Sequence, residues 1–364
     1  MLLSAALIVR DEAAVLADCL ASIRPVVDEI IVVDTGSVDR SPEIAGEYGA
    51  RLIRHPWRDD FADARNVALD AAQGEWILYI DADERLAPTG PVVVEALLTD
   101  AAEVAFRLLL RPDSVSSPYL EYRLWRNDPR IRFVGRIHEK VTPAIQRVSL
   151  ADGRPIGACD LLLTHVGYEG DQTRKHRRNL PLLREQLARE PNNLFNRHHL
   201  ARVLRGLGDE SEAEAVLEDA VELARRRPYD PTGVLAFTDL VRLRRDRGGD
   251  VADLLADARR LYPANKLLWW LEATSLLAAE NYLEALELLD ALLAVDLGSL
   301  PLEGPGYDER IFGEYAHEAR GIALFRLERY IEAAEAFAAA SRLDPGNVGY
   351  RSKAAAARGR AQPA

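Results

Sequence analysis

Cysteine, methionine and lysine are nearly missing from this chain of 364 residues, which has two Cys, one Met, and lysine only at Lys140, Lys175, Lys266 and Lys353. Cys19 and Cys159 are too few for a disulfide framework or a cysteine-built zinc site. They suit a reducing compartment, so a cytoplasmic setting is expected and no redox chemistry. No run of about twenty apolar residues occurs, which excludes a membrane-spanning helix. The apolar stretch Leu2–Val9 lacks a basic leader and a small-residue cleavage site and stops at Arg10-Asp11-Glu12, so it reads as a buried strand rather than a signal peptide. Positive charge is in deficit as well: 46 basic residues stand against 58 acidic ones, a net charge of −12. That balance argues against a chain whose main task is to hold nucleic acid by its phosphates. What is plentiful is apolar surface, at 48% of residues, and the length fits two domains.

Two periodicities divide the chain. Up to about residue 170, short apolar runs alternate with amphipathic stretches: strands are predicted at 5–9, 29–34, 51–54 and 76–80, and helices at 12–23, 42–48 and 61–72. This alternation, with Ile and Val nearly continuous in the strands, predicts an α/β domain built on a parallel sheet covered on both faces. Past residue 175 helical spacing of Ala and Leu continues to the end. Ala201, Leu204, Ala213, Leu217 and Ala220 match Ala273, Leu276, Ala285, Leu289 and Leu292, and a third unit holds Gly321, Leu324, Ala333, Phe337, Ala340 and Pro345. Ala213 and Ala285 lie 72 residues apart, which leaves room for a degenerate unit around Leu240, Leu243 and Ala252. Small residues where two helices cross, a large one nearby and a closing Pro resemble the tetratricopeptide repeat, an all-α solenoid.

Ligands of parallel sheets bind at the carboxyl ends of the strands, and the polar clusters sit there. Asp34-Thr35-Gly36-Ser37-Val38-Asp39 closes the second strand: Asp34 is placed to accept hydrogen bonds from a base or ribose, Gly36 permits a tight turn, and Ser37, Asp39 and Ser41 are candidate caps of the next helix. Asp81-Ala82-Asp83 follows the fourth strand, and two carboxylates that close suit Mn or Mg, which bridges the oxygens of a diphosphate. A solvated acidic turn, extended by Glu84, is the plainer alternative. His165 ends the last strand of this half and adds a nitrogen ligand that favours Mn over Ca. His138-Glu139 follows an Arg-rich segment, 131–137, that reads as a strand; Glu139 is a candidate general base or a salt-bridge partner of Arg136 or Lys140. Arg65, at a helix start, suits a phosphate or an Asp59 or Asp60 partner.

The ordered set Ile8-Val9-Arg10-Asp11-Glu12, Val32-Val33-Asp34-Thr35-Gly36-Ser37, Ala64-Arg65-Asn66 and Asp81-Ala82-Asp83-Glu84 resembles the family 2 glycosyltransferases of GT-A fold. It is most similar to the bacterial branch joined to tetratricopeptide repeats, whose members put sugars on peptides and on cell-surface glycans. The resemblance implies a nucleotide-diphosphosugar transferase domain over 1–172, a linking helix over 173–190 and repeats over 191–364. It implies that Asp34 contacts the nucleotide base with Arg10, Glu12 and Gly36 lining the same pocket, that Asp83 holds the metal, that Asp81 touches the ribose or the metal, and that His165 is the late metal ligand. The family's Glu-Asp dipeptide, source of the catalytic base, is absent; His138-Glu139 stands near its place, so Glu139 is expected as the base and His138 beside the substrate. The activity implied is inverting, metal-dependent transfer from a nucleotide diphosphosugar, UDP-linked by expectation, to a peptide, protein or glycan.

The repeats offer a concave surface for an acceptor or for self-association into a homo-oligomer. A scaffold reading makes the repeats the working part and the first domain a degenerate nucleotide-binding fold; intact Asp34, Arg65, Asp81 and Asp83 speak against it. Nucleotidyl transfer would want a Gly-rich basic loop after the first strand, where Val9-Arg10-Asp11-Glu12 stands instead. His198-His199 lacks a histidine partner at helical spacing. The basic run Arg174–Arg178 reads as a solvated helix face or a meeting point for an anionic acceptor or lipid surface.

Overall fold

A computed structural model describes residues 2–167, 172–304 and 306–361. The chain divides into two compact units, one running to Arg189 with Leu302–Gly306, the other comprising Glu190–Pro301 and Tyr307–Ala364.

The first unit runs β1 (Leu3–Val9), α1 (Leu16–Ile23), β2 (Glu29–Asp34), α2 (Ser41–Glu47), β3 (Arg51–Arg54), α3 (Phe61–Ala71), β4 (Trp76–Tyr79), β5 (Glu84–Leu86), α4 (Pro91–Leu98), β6 (Ala105–Arg111), β7 (Tyr119–Arg126), α5 (Thr142–Asp152), β8 (Ile156–His165) and α6 (Thr173–Arg189). Its strands form one eight-stranded sheet in the order β3-β2-β1-β4-β7-β6-β8-β5. Successive side chains of β1 serve two cores. Leu3, Ala5, Leu7 and Val9 pack with Leu16, Leu20 and Ile23 of α1, while Ala6 joins Ile31, Val33, Ile77 and Trp125 against α3 and α5. Both faces are therefore covered, which is why these strands carry little polar alternation.

The expected parallel pairing holds throughout the first half of the sheet and in the second half only between β6 and β8. β1 runs parallel to β2 and β4, and β2 to β3, but β7 lies antiparallel to β4 and to β6, and β5 antiparallel to β8. A short connection between β6 and β7 permits the antiparallel pairing that a helical crossover would not. Two local expectations fail. The helix predicted from Glu12 starts at Leu16, because the backbone before it is held by the neighbouring loop, as described below. The strand predicted over 131–137 does not form; Val134 makes one isolated bridge to Lys140. Asn66 on α3 removes the need for a ladder there: its side chain accepts from the Phe133 amide at 2.9 Å and donates to the Phe133 carbonyl at 3.0 Å. Gly135, at a φ of 104°, then turns the chain out of extended geometry.

The second unit is helical: α7 (Leu194–Gly206), α8 (Glu210–Arg226), α9 (Gly233–Asp246), α10 (Ala252–Leu261), α11 (Lys266–Ala278), α12 (Tyr282–Leu293), α13 (Glu314–Arg326), α14 (Tyr330–Leu343) and α15 (Val348–Ala361). The small residues of the repeat sit where helices cross: Ala201, Ala213, Ala220, Ala273, Ala285, Ala333 and Ala340 are all buried. In the degenerate pair α9–α10, Leu240 and Leu243 are buried, but Ala252 is exposed and Ala258 takes the small-residue position. Among the described residues no helix is long and apolar enough to cross a membrane.

Gly321 on α13 has no room for a methyl group, since a Cβ there would stand 2.6 Å from the ring of buried Phe337 on α14. Overpacking of this kind costs about 1–3 kcal/mol, against about 1 kcal/mol of helix propensity that Ala gains over Gly. Gly321→Ala is expected to lower the thermal midpoint of the second unit by about 2–4 °C; an unchanged or raised midpoint in calorimetry would show that the ring has space to yield.

Candidate active site

The site is assembled at the carboxyl ends of β1, β2 and β4, where the parallel part of the sheet directs its loops. Val9 of β1 pairs with Asp34 of β2 in register, so the segments that follow leave the sheet side by side. They then bind each other. The amides of Asp11, Glu12 and Ala13 donate to Ser37 Oγ at 3.0 Å, Ser41 Oγ at 2.8 Å and Asp39 Oδ2 at 2.9 Å. In return Asp11 Oδ1 accepts from the Val38 amide at 2.8 Å. Ser37, Asp39 and Ser41, expected as caps of α2, are thus spent mainly on the opposite loop; only Asp39 also accepts from a local amide, that of Ser41 at 2.9 Å. Asp11 sits at a φ of 58°, a strained value for a side-chain-bearing residue, and these bonds keep it there.

Asp34 is buried, and its Oδ1 accepts from the Ser37 amide at 2.9 Å and the Gly36 amide at 3.4 Å. Gly36 has a φ of 110°, and a Cβ there would meet nothing within 4 Å. It is needed for the turn, and it leaves the loop open above Asp34. Glu12 is half-buried; desolvation, reinforced by the charge of Asp83, pushes its carboxyl up to about 7.

The two carboxylates of Asp81-Ala82-Asp83 have separate partners. Asp81 lies between two guanidinium groups, Arg65 Nη1 at 3.0 Å and Arg123 Nη1 at 3.5 Å, and accepts from the Tyr79 hydroxyl at 2.9 Å. Both guanidiniums also stand over the Tyr79 ring, each 4.3 Å from its centroid. Arg65 is shared with Glu139, which pairs with its Nε, and Arg123 with Glu84, at 2.6 Å. Glu84 in turn accepts from the Asp81 amide at 2.9 Å. Burial raises the pKa of the Asp81 carboxyl, but Arg65, Arg123 and the Tyr79 hydroxyl overcome this and hold it at about 2. Burial wins at Glu84, pushed up to about 7 despite Arg123. At both arginines burial opposes the charge, and the carboxylates around them raise it well above the usual value.

Asp83 faces the other way. Pairing of β5 with β8 sets Glu84 opposite His165, and the Val166 amide donates to the Asp83 carbonyl at 2.8 Å. Asp83 Oδ2 then meets His165 Nε2 at 3.0 Å, while His165 Nδ1 lies 3.2 Å from the Pro112 carbonyl. A carbonyl on Nδ1 fixes the proton there, so a neutral ring turns the Nε2 lone pair toward a carboxylate. Only a proton or a cation between them makes that contact attractive. Donation from the protonated ring to the Asp83 carboxylate accordingly raises the imidazole pKa.

Asp81, Asp83 and His165 do not converge as one three-ligand set, and among the described residues no three of His, Cys, Asp and Glu are grouped to hold a metal ion. Asp81 is taken by the arginines. Asp83 with His165 is a carboxylate oxygen facing an imidazole nitrogen whose far side is anchored on a backbone carbonyl, a donor pair that fits Mn or Mg when a diphosphate completes the coordination.

The remaining expected residues lie on two sides. Glu139 is nearly closed off, its side chain 9% exposed beside Arg65, and His138, at a φ of 51°, turns the chain to bring it there. Arg10 follows β1 directly and is half-buried, with its Nε enclosed and without a hydrogen bond. Sequence reasoning missed Arg123 and Glu84 as site residues. The one trace was Arg123 in the apolar and aromatic run of β7, where a buried guanidinium demands a carboxylate partner.

Residues 4–144 match the model of glycosyl transferase family 2, and residues 314–347 match that of the tetratricopeptide repeat. The chain thus carries a family 2 glycosyltransferase domain at its N-terminal end and a tetratricopeptide repeat at its C-terminal end. A TPR repeat-containing protein of Synechococcus elongatus is 37% identical over 234 residues, 62% of this chain and 58% of that protein. The SPbeta prophage-derived glycosyltransferase SunS of Bacillus subtilis is 29% identical over 232 residues, 59% of this chain and 52% of that protein. The chain spans between half and three fifths of the length of these curated relatives. Among solved structures, glucosyl-3-phosphoglycerate synthase from Mycobacterium tuberculosis, in complex with Mn2+, UDP and glucosyl-3-phosphoglycerate, aligns over 52% of this chain and 79% of that one, at 20% identity and a TM-score of 0.37.

Asp81 gives a stability test. Its folded pKa of about 2 lies below the ordinary 3.8, so its ion pairs stabilise the fold above pH 3.8 and lose that effect as pH falls through about 2. Asp81→Asn is expected to lower the unfolding free energy by roughly 2 kcal/mol at neutral pH. The gap to the parent should narrow in denaturant titrations as pH drops from about 4 toward 2; a gap independent of pH would mean that the carboxylate charge is not what holds the arginines.

Proposed function

We propose that the first unit transfers a sugar, with inversion, from a nucleotide diphosphosugar to a peptide, protein or glycan acceptor. The observation that carries this reading is the Asp83–His165 contact after the fourth strand of a family 2 glycosyltransferase domain: a cation-seeking pair in a sheet whose second strand closes on the buried carboxylate of Asp34. In this reading Asp34, with Oδ1 tied to two loop amides, offers Oδ2 to the base or ribose, and the open face of Gly36 lets the nucleotide approach the backbone. Asp83 and His165 would hold Mn or Mg, which would supply positive charge to the departing diphosphate.

The acceptor's nucleophilic atom attacks the anomeric carbon, the bond to the diphosphate oxygen breaks with its electron pair leaving on the diphosphate, and the acceptor's proton passes to Glu139. Arg65, paired to it through Nε, keeps Glu139 aimed. Asp81 serves a positioning role, holding Arg65 and Arg123 so that Asp83 and Glu139 stay on their separate sides of the reaction.

Hydrolysis of a panel of nucleotide diphosphosugars by the full chain, with Mn or Mg titrated in, tests the reading. His165→Ala is expected to raise the metal concentration for half-activation about 10- to 100-fold and Asp83→Asn to abolish turnover; full turnover after exhaustive chelation would overturn the metal role. With acceptor present, Glu139→Gln should lower kcat by about 10² to 10⁴ and leave donor binding intact. Retention of parental kcat would remove Glu139 as the base.

A further inference from the structure

The proposed transfer makes no use of the first half of β7. That strand pairs with β4 only through Leu124, Trp125 and Arg126, so residues 119–123 run on past the carboxyl end of β4, with no strand among the described residues on that edge. A bare edge offers its backbone donors and acceptors to an added chain. Here the Tyr122 amide is met by the Glu121 carboxylate. The Leu120 amide instead donates to the Leu302 carbonyl at 2.8 Å, and Leu302–Gly306, distant in sequence, belongs to the first unit.

The seat is shaped for an extended segment. Arg107 on β6, in register with Tyr122, puts Nη1 2.7 Å from Glu303 Oε1, and its Nε is enclosed without a hydrogen bond. Gly306 passes so near the Ser117 carbonyl that a Cβ would stand 2.1 Å from its oxygen. Main-chain bonds along a strand edge supply affinity, and a side-chain site beside them supplies selectivity. The ties on Leu302 and Glu303 are of a generic kind: a peptide carbonyl on an amide, and an ion pair whose acid is 69% exposed and adds little. An extended peptide with a carboxylate one residue after the bonded carbonyl offers the same two. The seat also adjoins the reaction centre. Leu120 is three residues from Arg123, about 10 Å along the strand, and Arg123 braces Asp81. The loop over 112–118 that joins β6 to β7 carries Ser117 near one end and Pro112 at the other, whose carbonyl lies 3.2 Å from His165 Nδ1.

We propose that the free edge of β7, with Arg107 beside it, seats an extended acceptor peptide that carries a carboxylate side chain, and that Leu302–Gly306 fills this seat until such a peptide displaces it. The inference rests on the transfer reaction proposed above and narrows its acceptor to a peptide. A glycan lacks the regularly spaced amides and carbonyls that a strand edge pairs with.

The probe is a dye-labelled peptide with the sequence of residues 299–307, Ser-Leu-Pro-Leu-Glu-Gly-Pro-Gly-Tyr, and its binding to the full chain is read by fluorescence anisotropy. In the parent the tethered segment competes at a roughly millimolar local concentration, so the peptide should bind weakly. Glu303→Gln combined with Gly306→Ala empties the seat, the first by breaking the ion pair and the second by a clash with backbone, and is expected to tighten peptide binding about tenfold or more. Arg107→Gln added to these two changes, or Gln in place of Glu in the peptide, should lose most of that gain. Equal, weak affinity in parent and double variant would overturn the proposal, as would a gain indifferent both to Arg107 and to the peptide's acid. A double variant whose thermal midpoint falls sharply with no gain in binding would identify the segment as a structural brace and overturn it too. With nucleotide sugar and Mn, saturating peptide should slow donor hydrolysis by the double variant several-fold, since it lies across the approach to the anomeric carbon; hydrolysis indifferent to bound peptide would overturn the acceptor role. Peptide binding by a chain that hydrolyses no nucleotide sugar upholds the seat and counts against the transfer reading alone. Donor hydrolysis with no peptide binding in any variant sinks the seat and leaves the transfer reading standing.

Discussion

The architecture of the site depends on how the charge of Asp81 is compensated. Two arginines from different elements, Arg65 on α3 and Arg123 on β7, close on that carboxylate, each stacked on the Tyr79 ring. Each is tied outward to a second carboxylate, Glu139 or Glu84. Without Asp81 each arginine would keep one carboxylate, so its loss costs less than the about 3–5 kcal/mol of a wholly unpaired buried charge. The arrangement therefore fixes helix, sheet and loop relative to one another, and the loop it fixes is the one that carries Asp83 toward His165.

A division of labour follows along three residues of sequence. Asp81 faces inward and is saturated by protein cations; Asp83 faces the imidazole of His165 and has protein neighbours that leave it wanting positive charge. Glu84, next along, is buried and bonds back to the Asp81 amide. The turn reads in sequence as an evenly acidic patch, yet one carboxylate braces the protein, one faces an imidazole, and one locks the backbone between them. Cys19 adds a small contribution, its thiol donating to the Asp81 carbonyl at 3.3 Å.

Legibility in the sequence tracks how local each cause is. The strands β1 to β4 follow from β-branched and apolar runs buried on both faces, and the helical repeats from small residues recurring where helices cross, so both could be read without coordinates. The expectation for 131–137 failed because its backbone is satisfied by the side chain of Asn66, far away in sequence and adjacent to an arginine that drew the attention. Ser37, Asp39 and Ser41 looked like caps for the same reason: the residue types are right for bonding amides, but nothing local says whose. Asp34, Arg65 and Asp83 were expected from motif order, His165 from its place at a strand end, and Glu139 from its place near the family's missing dipeptide. Arg123 and Glu84 were not, since a buried ion pair between β7 and a turn leaves no periodic trace, only a charged residue in an apolar context.

The reciprocal bonding of the loops after β1 and β2 has a consequence for how the pocket could be reshaped. Most polar side chains from Asp34 to Ser41 are committed to an amide, many of them on the opposite loop, so exchanging them would disturb both strand ends at once. Val38 is the exception: its amide is bound to Asp11, but its side chain stands 92% exposed. That position is a free variable in an otherwise interlocked frame, the place where new chemistry can be written onto the rim while the scaffold beneath stays as it is.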